Sequence, residues 1–542
     1  METKFYKKIA SPASGKTYGA IQYMVDNIRH HNKRYVVAAI SVDLCNQIMS
    51  DIPEDINVSC IINETGVRGL VKDRYVDAIK SKEDDILIIT HTNLLNCYDS
   101  YTADGWDIIV DELPTIHNCV YLKIPDLRGD TIADWLTVVN EVDGKSGYAE
   151  MELRYGFDQK LENYLESAES IREDESYINP KSLLGLKGVL NGTSRVLRKQ
   201  STDEKGNTLV EYAFNVMCDP AKLFNGFGEV IFLCAEFDKQ LTGMLLTHKF
   251  GVVVEDKTDI KLRATEYKEP ARIKIYPLIK APKIYSRKLS ESWYCKNTKN
   301  KFDKHSNPEE GQVEFFEHLV DVAGSIVGDE GYIYTVNKFR NEMIADGKYP
   351  FLQESDKVKS LRYNPHGLNN YMRYNVALGL FCCNPRPIQR TLLRNLDKEL
   401  GMEEGTFERA YEVTAMTDPI FQLVTRTKIR RFDLLEDIIC IVPDYRSVDY
   451  LTSTWFKGAV VDWSYAVEVI ERKGGAPKKF RSLLNMSEGE YCKFKRQCKK
   501  WGVTPKSLRT DCDVDYKLVE DWVLEERSKE KTKNKIHTRG SR

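Results

Sequence analysis

One short stretch near the N-terminus constrains the fold of this chain more than any other. Residues 10–17 read Ala-Ser-Pro-Ala-Ser-Gly-Lys-Thr, and they stand between a strand-like run at 4–9 and a helix-like run that begins at Tyr18. A loop in this position turns its backbone N–H groups inward and creates a site for phosphate. Lys16 would reach the β- and γ-phosphates, and Thr17 would place its hydroxyl on Mg²⁺. The alternative is a chance Gly-Lys-Thr at the start of an ordinary helix.

Length and composition favour a globular protein of several domains. The chain has 542 residues, too many for one core, and 42% of them are hydrophobic and 30% charged. The net charge of −2 provides no overall field that would attract nucleic acid, so such binding would need local patches. No apolar run approaches the ~20 residues of a membrane span, and no signal peptide is recognisable, so we expect a cytoplasmic protein without membrane contact. The 13 cysteines, without a Cys-x-x-Cys pair, indicate reduced thiols.

Apolar runs recur along the first half of the chain and alternate with segments of helical pattern. Such runs suit the strands of a parallel sheet, because helices cover these strands on both faces. The runs lie at residues 35–40, 86–89, 107–110 and 230–233. Strands that alternate with helices predict an α/β domain. Further strands are predicted in the second half, at residues 271–279, 331–336, 375–381 and 438–442.

An acidic pair ends one of these apolar runs. Asp111 and Glu112 follow the run at 107–110, and the carboxyl end of a parallel strand is where such sheets bind ligands. Asp111 would bind Mg²⁺, and Glu112 would orient and deprotonate an attacking water. The alternative is a solvated strand end. Combined with the loop at 10–17, the pair predicts a site for a nucleoside triphosphate.

These stretches resemble the motifs of superfamily 2 helicases. Residues 10–17 resemble motif I, and residues 111–114, Asp-Glu-Leu-Pro, resemble the DExx motif II. Residues 41–47 are similar to motif Ia, and residues 90–95 to the Thr-His motif that follows it. In the family these two contact the backbone of a single strand, and the alternative here is an ordinary helix cap. Residues 234–236, Cys-Ala-Glu, stand where the family has Ser-Ala-Thr, a motif that couples hydrolysis to strand movement.

The second half carries the remaining motifs of the resemblance. Residues 331–338 look like motif IV, and residues 366–371 resemble motif V with Asn369 at the usual Asp position. Residues 421–431 look like motif VI, in which arginines reach the γ-phosphate. Gln422, Arg426 and Arg430 recur every four residues and would share one face of a helix. The alternative is a basic, solvated helix face, and which arginine acts as the finger stays open.

The resemblance assigns roles to individual residues. The catalytic group comprises Glu112, Gln422, Arg426 and Arg430. The ATP phosphates would contact Ala13, Ser14, Gly15, Lys16 and Thr17. Mg²⁺ would bind to Thr17 and Asp111. Nucleic acid would contact Ser41, Thr90, His91, Thr335 and Asn337; outside the resemblance, the basic and aromatic pattern near the C-terminus adds Lys495, Lys499 and Trp501.

The predicted fold class is α/β, with two tandem RecA-like parallel-sheet domains. We place the first at residues 1–260, with a helical insertion at about 118–228, and the second at 261–450. A small helical extension at 451–524 and a disordered tail at 525–542 would follow. Residues 478–509 contain ten Lys or Arg and two Glu, interleaved with aromatic residues. This pattern suits binding to nucleic acid, although the aromatics could equally form the core of a helical module.

The resemblance implies an ATP-dependent helicase or translocase with ATP and Mg²⁺ in the cleft between the two domains. Its track would be single-stranded or forked nucleic acid, with DNA favoured over RNA, in replication or recombination. The insertion or the extension could recruit partner proteins, and the divergence of the motifs looks like that of bacteriophage helicases. Two alternatives remain open: a nucleic-acid-binding ATPase that acts only as a switch, and a viral packaging-type ATPase.

Overall fold

The computed structural model describes most of the chain in ordered segments. They are residues 3–63, 70–125, 135–143, 148–169, 180–192, 194–202, 208–264, 270–296, 299–302, 311–363, 365, 370–431, 436–470, 484, 488–501 and 517–529. The described residues between 3 and 292 and between 314 and 468 form one compact unit. The described residues between 293 and 313 and from 469 onward belong to a second, smaller unit. No described helix combines the length and apolar character that crossing a bilayer requires.

The strands are numbered in chain order. They are β1 (Lys4–Ile9), β2 (Tyr35–Ala39), β3 (Val58–Cys60), β4 (Ile86–Thr90), β5 (Asp107–Asp111), β6 (His117–Pro125), β7 (Leu136–Asp143), β8 (Tyr148–Leu153), β9 (Arg195–Thr202), β10 (Thr208–Met217), β11 (Glu229–Cys234), β12 (Val254–Asp256), β13 (Ile273–Pro277), β14 (Trp293–Cys295), β15 (Asn300–Phe302), β16 (Gln312–Glu314), β17 (Tyr332–Val336), β18 (Val358–Ser360), β19 (Val376–Leu380), β20 (Ile438–Val442) and β21 (Val460–Val461).

The α-helices are numbered in the same way. They are α1 (Lys16–His31), α2 (Val42–Asp51), α3 (Val71–Ser81), α4 (His91–Cys97), α5 (Asp158–Glu169), α6 (Pro180–Leu190), α7 (Pro220–Leu223), α8 (Leu241–Met244), α9 (Arg287–Ser290), α10 (Phe315–Val327), α11 (Asn341–Ala345), α12 (Pro387–Glu399), α13 (Thr406–Glu412), α14 (Asp418–Val424), α15 (Tyr445–Tyr450), α16 (Glu488–Lys500) and α17 (517–529). Turns of π-helix follow α8 at Leu245–Lys249, α13 at Val413–Thr417 and α15 at Leu451–Trp455.

The first domain is built on a seven-stranded sheet in the order β12-β1-β11-β5-β2-β4-β3. Every pair of neighbouring strands in it is parallel. The central strands are apolar and buried along their length, as β2 shows: Val36 and Ala38 join the core on one face, and Tyr35 and Val37 join the core on the other. Burial on both faces explains why the sequence reads as apolar runs instead of alternating residues.

The second domain contains a six-stranded sheet in the order β18-β17-β19-β20-β13-β21, also parallel throughout. The two sheets confirm the predicted fold class, α/β with two tandem parallel-sheet domains. The carboxyl ends of β1 and β5 carry the loop at 10–17 and the acidic pair, as the sequence predicts.

The insertion between β5 and β11 contains more than helices. It has the two helices α5 and α6, and it also has a five-stranded antiparallel sheet in the order β6-β10-β9-β8-β7, which the prediction of a helical insertion leaves out. Its strands mix apolar residues with charged and polar ones, as β9 does, so no continuous apolar run marks them. Strands β9 and β10 are nevertheless buried on both faces at their centre, where Tyr212 and Phe214 join one apolar cluster and Leu197 and Ala213 join another.

A helical hairpin between β19 and β20 contacts the first domain. Leu393 and Leu396 of α12, with Phe407 and Ala410 of α13, belong to the same apolar cluster as the core of the first sheet. On another side of α12, Ile388 packs with residues of the inserted sheet. Helix α13 continues through the π-helical turn into α14, so the chain leads from this packed hairpin directly to residues 418–424.

The smaller unit contains a short antiparallel pair, β14 and β15, and the helices α16 and α17. Phe494 and Cys498 of α16 pack with Val519 and Val523 of α17 in a small apolar cluster. The predicted helical character of the C-terminal region is therefore present, with the cluster between the two helices.

Candidate active site

The loop between β1 and α1 turns sharply at two positions. Ala13 has a φ of +68° and Gly15 a φ of +87°, and α1 begins at Lys16 directly after them. Ser14 lies between the two, is fully buried, and its carbonyl oxygen accepts a hydrogen bond of 2.8 Å from the backbone N–H of Arg263. A Cβ on Gly15 would lie 2.9 Å from the Arg263 side chain in a strained conformation, so this position requires glycine.

Lys16 is held inside the loop. Its side chain is only 6% exposed, and its Nζ donates to the carbonyl oxygens of Ala10 at 2.7 Å and Ser11 at 3.2 Å. The first turn of α1 has no acidic residue, and the N-terminus of a helix carries a partial positive charge of its own. The loop therefore brings two sources of positive charge together, which favours an anion such as phosphate.

Thr17 and Asp111 meet beside this loop, although 94 residues separate them in sequence. The Thr17 Oγ1 donates a hydrogen bond of 2.8 Å to Asp111 Oδ2. Both side chains offer oxygen, the type of ligand that Mg²⁺ prefers. The pair therefore fits a magnesium site at the carboxyl end of β5.

Glu112 follows Asp111 and leaves the strand with an unusual backbone conformation. Its φ is +68°, its backbone N–H donates to the carbonyl of Leu233 at 2.7 Å, and its side chain is 8% exposed. A non-glycine residue with positive φ is uncommon, and such strain often accompanies functional positions. The Glu112 Oε1 accepts a hydrogen bond of 3.5 Å from Gln422 Nε2, which belongs to the second domain.

The segment with Gln422, Arg426 and Arg430 is not one continuous helix. Helix α14 ends at Val424, and Arg430 lies in a separate 3₁₀ turn at Lys428–Arg430. The prediction of a shared helical face is therefore wrong. The hydroxyls of Thr425 and Thr427 donate to the carbonyl oxygens of Gln422 and Val424, at 3.0 and 2.7 Å, and so satisfy the carbonyl groups at the end of the helix.

Arg426 is buried in spite of its charge. It is 4% exposed, and its Nη2 donates to Gln422 Oε1 at 3.0 Å. Burial and the neighbouring Arg430 guanidinium lower the pKa of Arg426 to about 9. Gln422 thus contacts Glu112 with its amide nitrogen and Arg426 with its amide oxygen, and it joins the acidic end of β5 to the basic segment of the second domain.

A cavity of about 470 Å³ contains all of these groups. Its first-domain lining includes Ala13, Gly15, Lys16, Thr17, Asp111 and Glu112. Its second-domain lining includes Gln422, Arg426 and Arg430. Except for Ser14, which is buried and does not line the cavity, the structure thus brings together in one space the residues that the sequence assigns to phosphate, Mg²⁺ and catalysis.

The first group of predicted nucleic-acid contacts lies at helix N-termini. The Ser41 Oγ accepts a hydrogen bond of 3.3 Å from the backbone N–H of Leu44 and caps α2. The Thr90 Oγ1 accepts one of 3.2 Å from the N–H of Asn93 and caps α4. Both side chains therefore have the capping role that the sequence left open as the alternative, and His91 beside them is buried.

Thr335 and Asn337 are used inside the second domain. Thr335 is 1% exposed in β17, and its hydroxyl donates to the carbonyl of Leu361 at 3.1 Å. The Asn337 amide donates to the carbonyl of Cys382 and accepts from its N–H. Because Thr335 is buried within the sheet, the structure does not support a contact between its side chain and bound nucleic acid. The motif V residues 366–369, with Asn369, lie outside the described residues.

The predicted contacts at the C-terminus lie in the smaller unit. Lys495 and Lys499 are exposed on α16. Trp501 packs beside the small apolar cluster, with its ring centroid 6.5 Å from that of Trp522 in an edge-on arrangement. In this unit the aromatic residues form the core, and the lysines remain on the surface.

Three residues near the site had no signal in the sequence. The guanidinium of Arg263 lies over the Tyr18 ring at 3.5 Å, and both residues line the cavity. Asp418, four residues before Gln422, is 4% exposed; burial, followed by the Glu112 carboxylate, raises the pKa of Asp418 well above its usual value. Arg263 belongs to no recognisable motif, and an acidic residue at the start of a helix ordinarily indicates a cap.

Comparison with known proteins gives structural likenesses only. No protein-family model and no curated protein matches this chain. Among solved structures, apo XPD matches with 10% identity and a TM-score of 0.41, over 86% of this chain and 97% of that one. Mss116p bound to ssRNA and AMP-PNP matches with 9% identity and a TM-score of 0.31, over 92% and 78%. T4 UvsW matches with 6% identity and a TM-score of 0.21, over 86% and 74%. At these values the matches say nothing about the activity, substrate or partners of this chain.

Proposed function

We propose that this protein hydrolyses ATP between its two parallel-sheet domains and uses the hydrolysis to move along a single strand of nucleic acid. One observation carries the proposal: Gln422 bonds to Glu112 in one domain and to Arg426 in the other, within the cavity that holds Lys16. The catalytic residue Glu112 and the basic residue Arg426 lie on separate domains but meet at one phosphate site. Hydrolysis therefore depends on how the two domains approach each other.

Each residue has a definite task in this scheme. Lys16 and the backbone N–H groups at the start of α1 bind the phosphates. Glu112 orients the attacking water and takes its proton, and Gln422 holds the Glu112 carboxylate in place. Arg426 and Arg430 place positive charge where it develops on the transferred phosphoryl group. Mg²⁺ held by Thr17 and Asp111 would neutralise charge on the phosphate oxygens.

The track and the process are finer proposals. We favour single-stranded or forked DNA over RNA, in replication or recombination of the kind that bacteriophage helicases serve. The exposed lysines of α16 offer a surface for the backbone, and the insertion or the smaller unit could hold partner proteins. A switch that binds nucleic acid and hydrolyses ATP without movement is the remaining candidate, since residues 234–236 lack the two hydroxyls of the usual coupling motif.

Directional movement separates the motor from the switch. We expect the full chain with ATP to displace streptavidin from the biotinylated end of a single-stranded DNA or RNA oligonucleotide, at one end in preference to the other. Glu112→Gln should abolish displacement, because the water loses its base while the phosphate site stays intact. The matched control is Glu255→Gln, at an exposed position of β12, which should behave like the wild type. Hydrolysis without displacement from either end would contradict the motor and favour the switch.

A further inference from the structure

A second cavity, of about 440 Å³, lies on the other side of Glu112. The first domain contributes Thr92 and Gln240 to its lining, the insertion contributes Asn118, and the second domain contributes Tyr363 and Tyr411. Its volume is within the roughly 300–1,000 Å³ that small-molecule pockets occupy in proteins. No residue of the phosphate-binding loop lines it, so it is separate from the site described above.

The lining of this cavity includes two buried polar side chains, Asp418 and Gln240. Asp418 lines it and is 4% exposed, and within the described part of the chain its Oδ1 has no hydrogen-bond partner. Gln240 also lines it and is 5% exposed. A buried polar atom without a partner is costly, so a ligand that donates to Oδ1 would bind with a gain.

The lining indicates the chemical class of this ligand. Among the described residues that line the cavity there is no lysine and no arginine, so a phosphate group has no counter-charge there. Two tyrosine rings, the amides of Gln389 and Asn118, and the carboxyl of Asp418 line it instead. Aromatic rings with nearby amide and carboxyl groups are the means by which proteins hold an unstacked nucleobase.

Two features connect the second cavity to the nucleotide site: a shared residue and a shared helical segment. Glu112 is the one described residue that lines both cavities. In addition, the helical segment formed by α13, its π-helical turn and α14 passes along both: Thr414 and Asp418 line the second cavity, and Gln422 lines the first. Single π-helical turns are rare and often lie at functional positions. A ligand in the second cavity would therefore contact the same carboxylate and the same helical segment that position the water for hydrolysis.

We propose that this second cavity binds one base of the single strand, and that the bound base stimulates ATP hydrolysis through Glu112 and the helical segment at 406–424. Tyr363, at the rim and 42% exposed, stacks on the base, while Gln240 and Asp418 contact its polar edge. The inference rests on the proposed function, because it concerns how nucleic acid acts on the ATP site.

The test compares polymers that differ only in their bases. Steady-state ATP hydrolysis by the full chain is measured with an oligodeoxythymidylate 20-mer, an oligouridylate 20-mer, the abasic counterpart of each, and free thymidine or uridine. The intact polymer that stimulates hydrolysis should do so at least about fivefold more than its abasic counterpart, and the free nucleoside should not stimulate, since one stacked base accounts for about 1–3 kcal/mol.

Variants locate the effect in the cavity. Tyr363→Ala should raise the polymer concentration for half-maximal stimulation about tenfold, while Tyr363→Phe should keep most of the wild-type response because it retains the ring. The matched control is Tyr465→Ala, at a site of similar exposure outside the cavity (43%).

Three results would overturn the inference. Equal stimulation by intact and abasic polymers would exclude a base, while the proposed function would stand. Stimulation by the free nucleoside alone would show that the cavity serves a metabolite instead of the strand. Hydrolysis that no polymer changes would contradict both the inference and the proposed movement along a strand. The failure of the inference alone, with equal stimulation by intact and abasic polymers, is therefore distinguishable from the failure of both.

Discussion

Replacing Lys16 with alanine is expected to lower kcat for ATP hydrolysis by a factor on the order of 10³ or more. Lys16 is the only charged side chain that the loop at 10–17 supplies, and its Nζ bonds to the loop carbonyls of Ala10 and Ser11. When the phosphates bind, this ammonium is already desolvated and in position. Steady-state phosphate release, with and without single-stranded polymer, measures the effect.

The control for this variant is a lysine of no assigned role. Lys80→Ala, on the exposed face of α3, should hydrolyse ATP like the wild type. Thermal unfolding of Lys16→Ala shows whether the variant folds, because the change removes a buried ammonium but leaves the carbonyl oxygens of Ala10 and Ser11 without this donor. A Lys16→Ala protein that folds and keeps more than about a tenth of the activity would contradict the assignment of the phosphate site.

Arg426→Lys is expected to lower kcat on the order of 10³-fold, although the charge is retained. Arg426 uses one nitrogen of its planar guanidinium for Gln422, and the fork geometry of a guanidinium lets it contact phosphoryl oxygens at the same time. Lysine cannot make both contacts from one ammonium at the same place. Since burial lowers the pKa of Arg426 to about 9 before nucleotide binds, the side chain loses its proton as the pH rises through that value, so we also expect kcat/KM to fall there.

Comparison with Arg430→Lys decides which arginine acts as the finger. Arg430 lines the same cavity, but it lies in a separate 3₁₀ turn and is only partly buried, so its replacement should cost less than that of Arg426. The two variants are measured by single-turnover hydrolysis, which separates the chemical step from nucleotide binding. A larger loss of the single-turnover rate for Arg430→Lys would transfer the role to that residue.

The parallel sheets could be predicted from the sequence because their burial leaves a simple pattern. β2, β4 and β5 are covered on both faces, so they appear as continuous apolar runs that few other structures produce. The acidic pair and the loop could be placed relative to these strands, because both follow a strand directly at its carboxyl end. The contact between Thr17 and Asp111 therefore follows from local signals and from the parallel arrangement.

Other parts depend on tertiary contacts that local patterns do not reveal. The strands of the inserted sheet mix apolar with charged and polar residues, as β9 does, and the end of α14 depends on hydroxyls of Thr425 and Thr427 that a spacing rule does not consider. Arg263 and Asp418 enter the site only because distant segments fold against it. Such residues can be found from coordinates, and the sequence alone offers no rule for them.

Steady-state ATP hydrolysis by the purified full chain, without and with single-stranded DNA or RNA, tests the central claim most directly. We predict measurable hydrolysis that rises strongly with one of the two polymers and disappears in the Lys16→Ala variant, and the preferred polymer would identify the track. Hydrolysis that is indifferent to both polymers would contradict a nucleic-acid motor. Absence of hydrolysis in a folded protein that has Mg²⁺ and polymer would contradict the ATPase site itself.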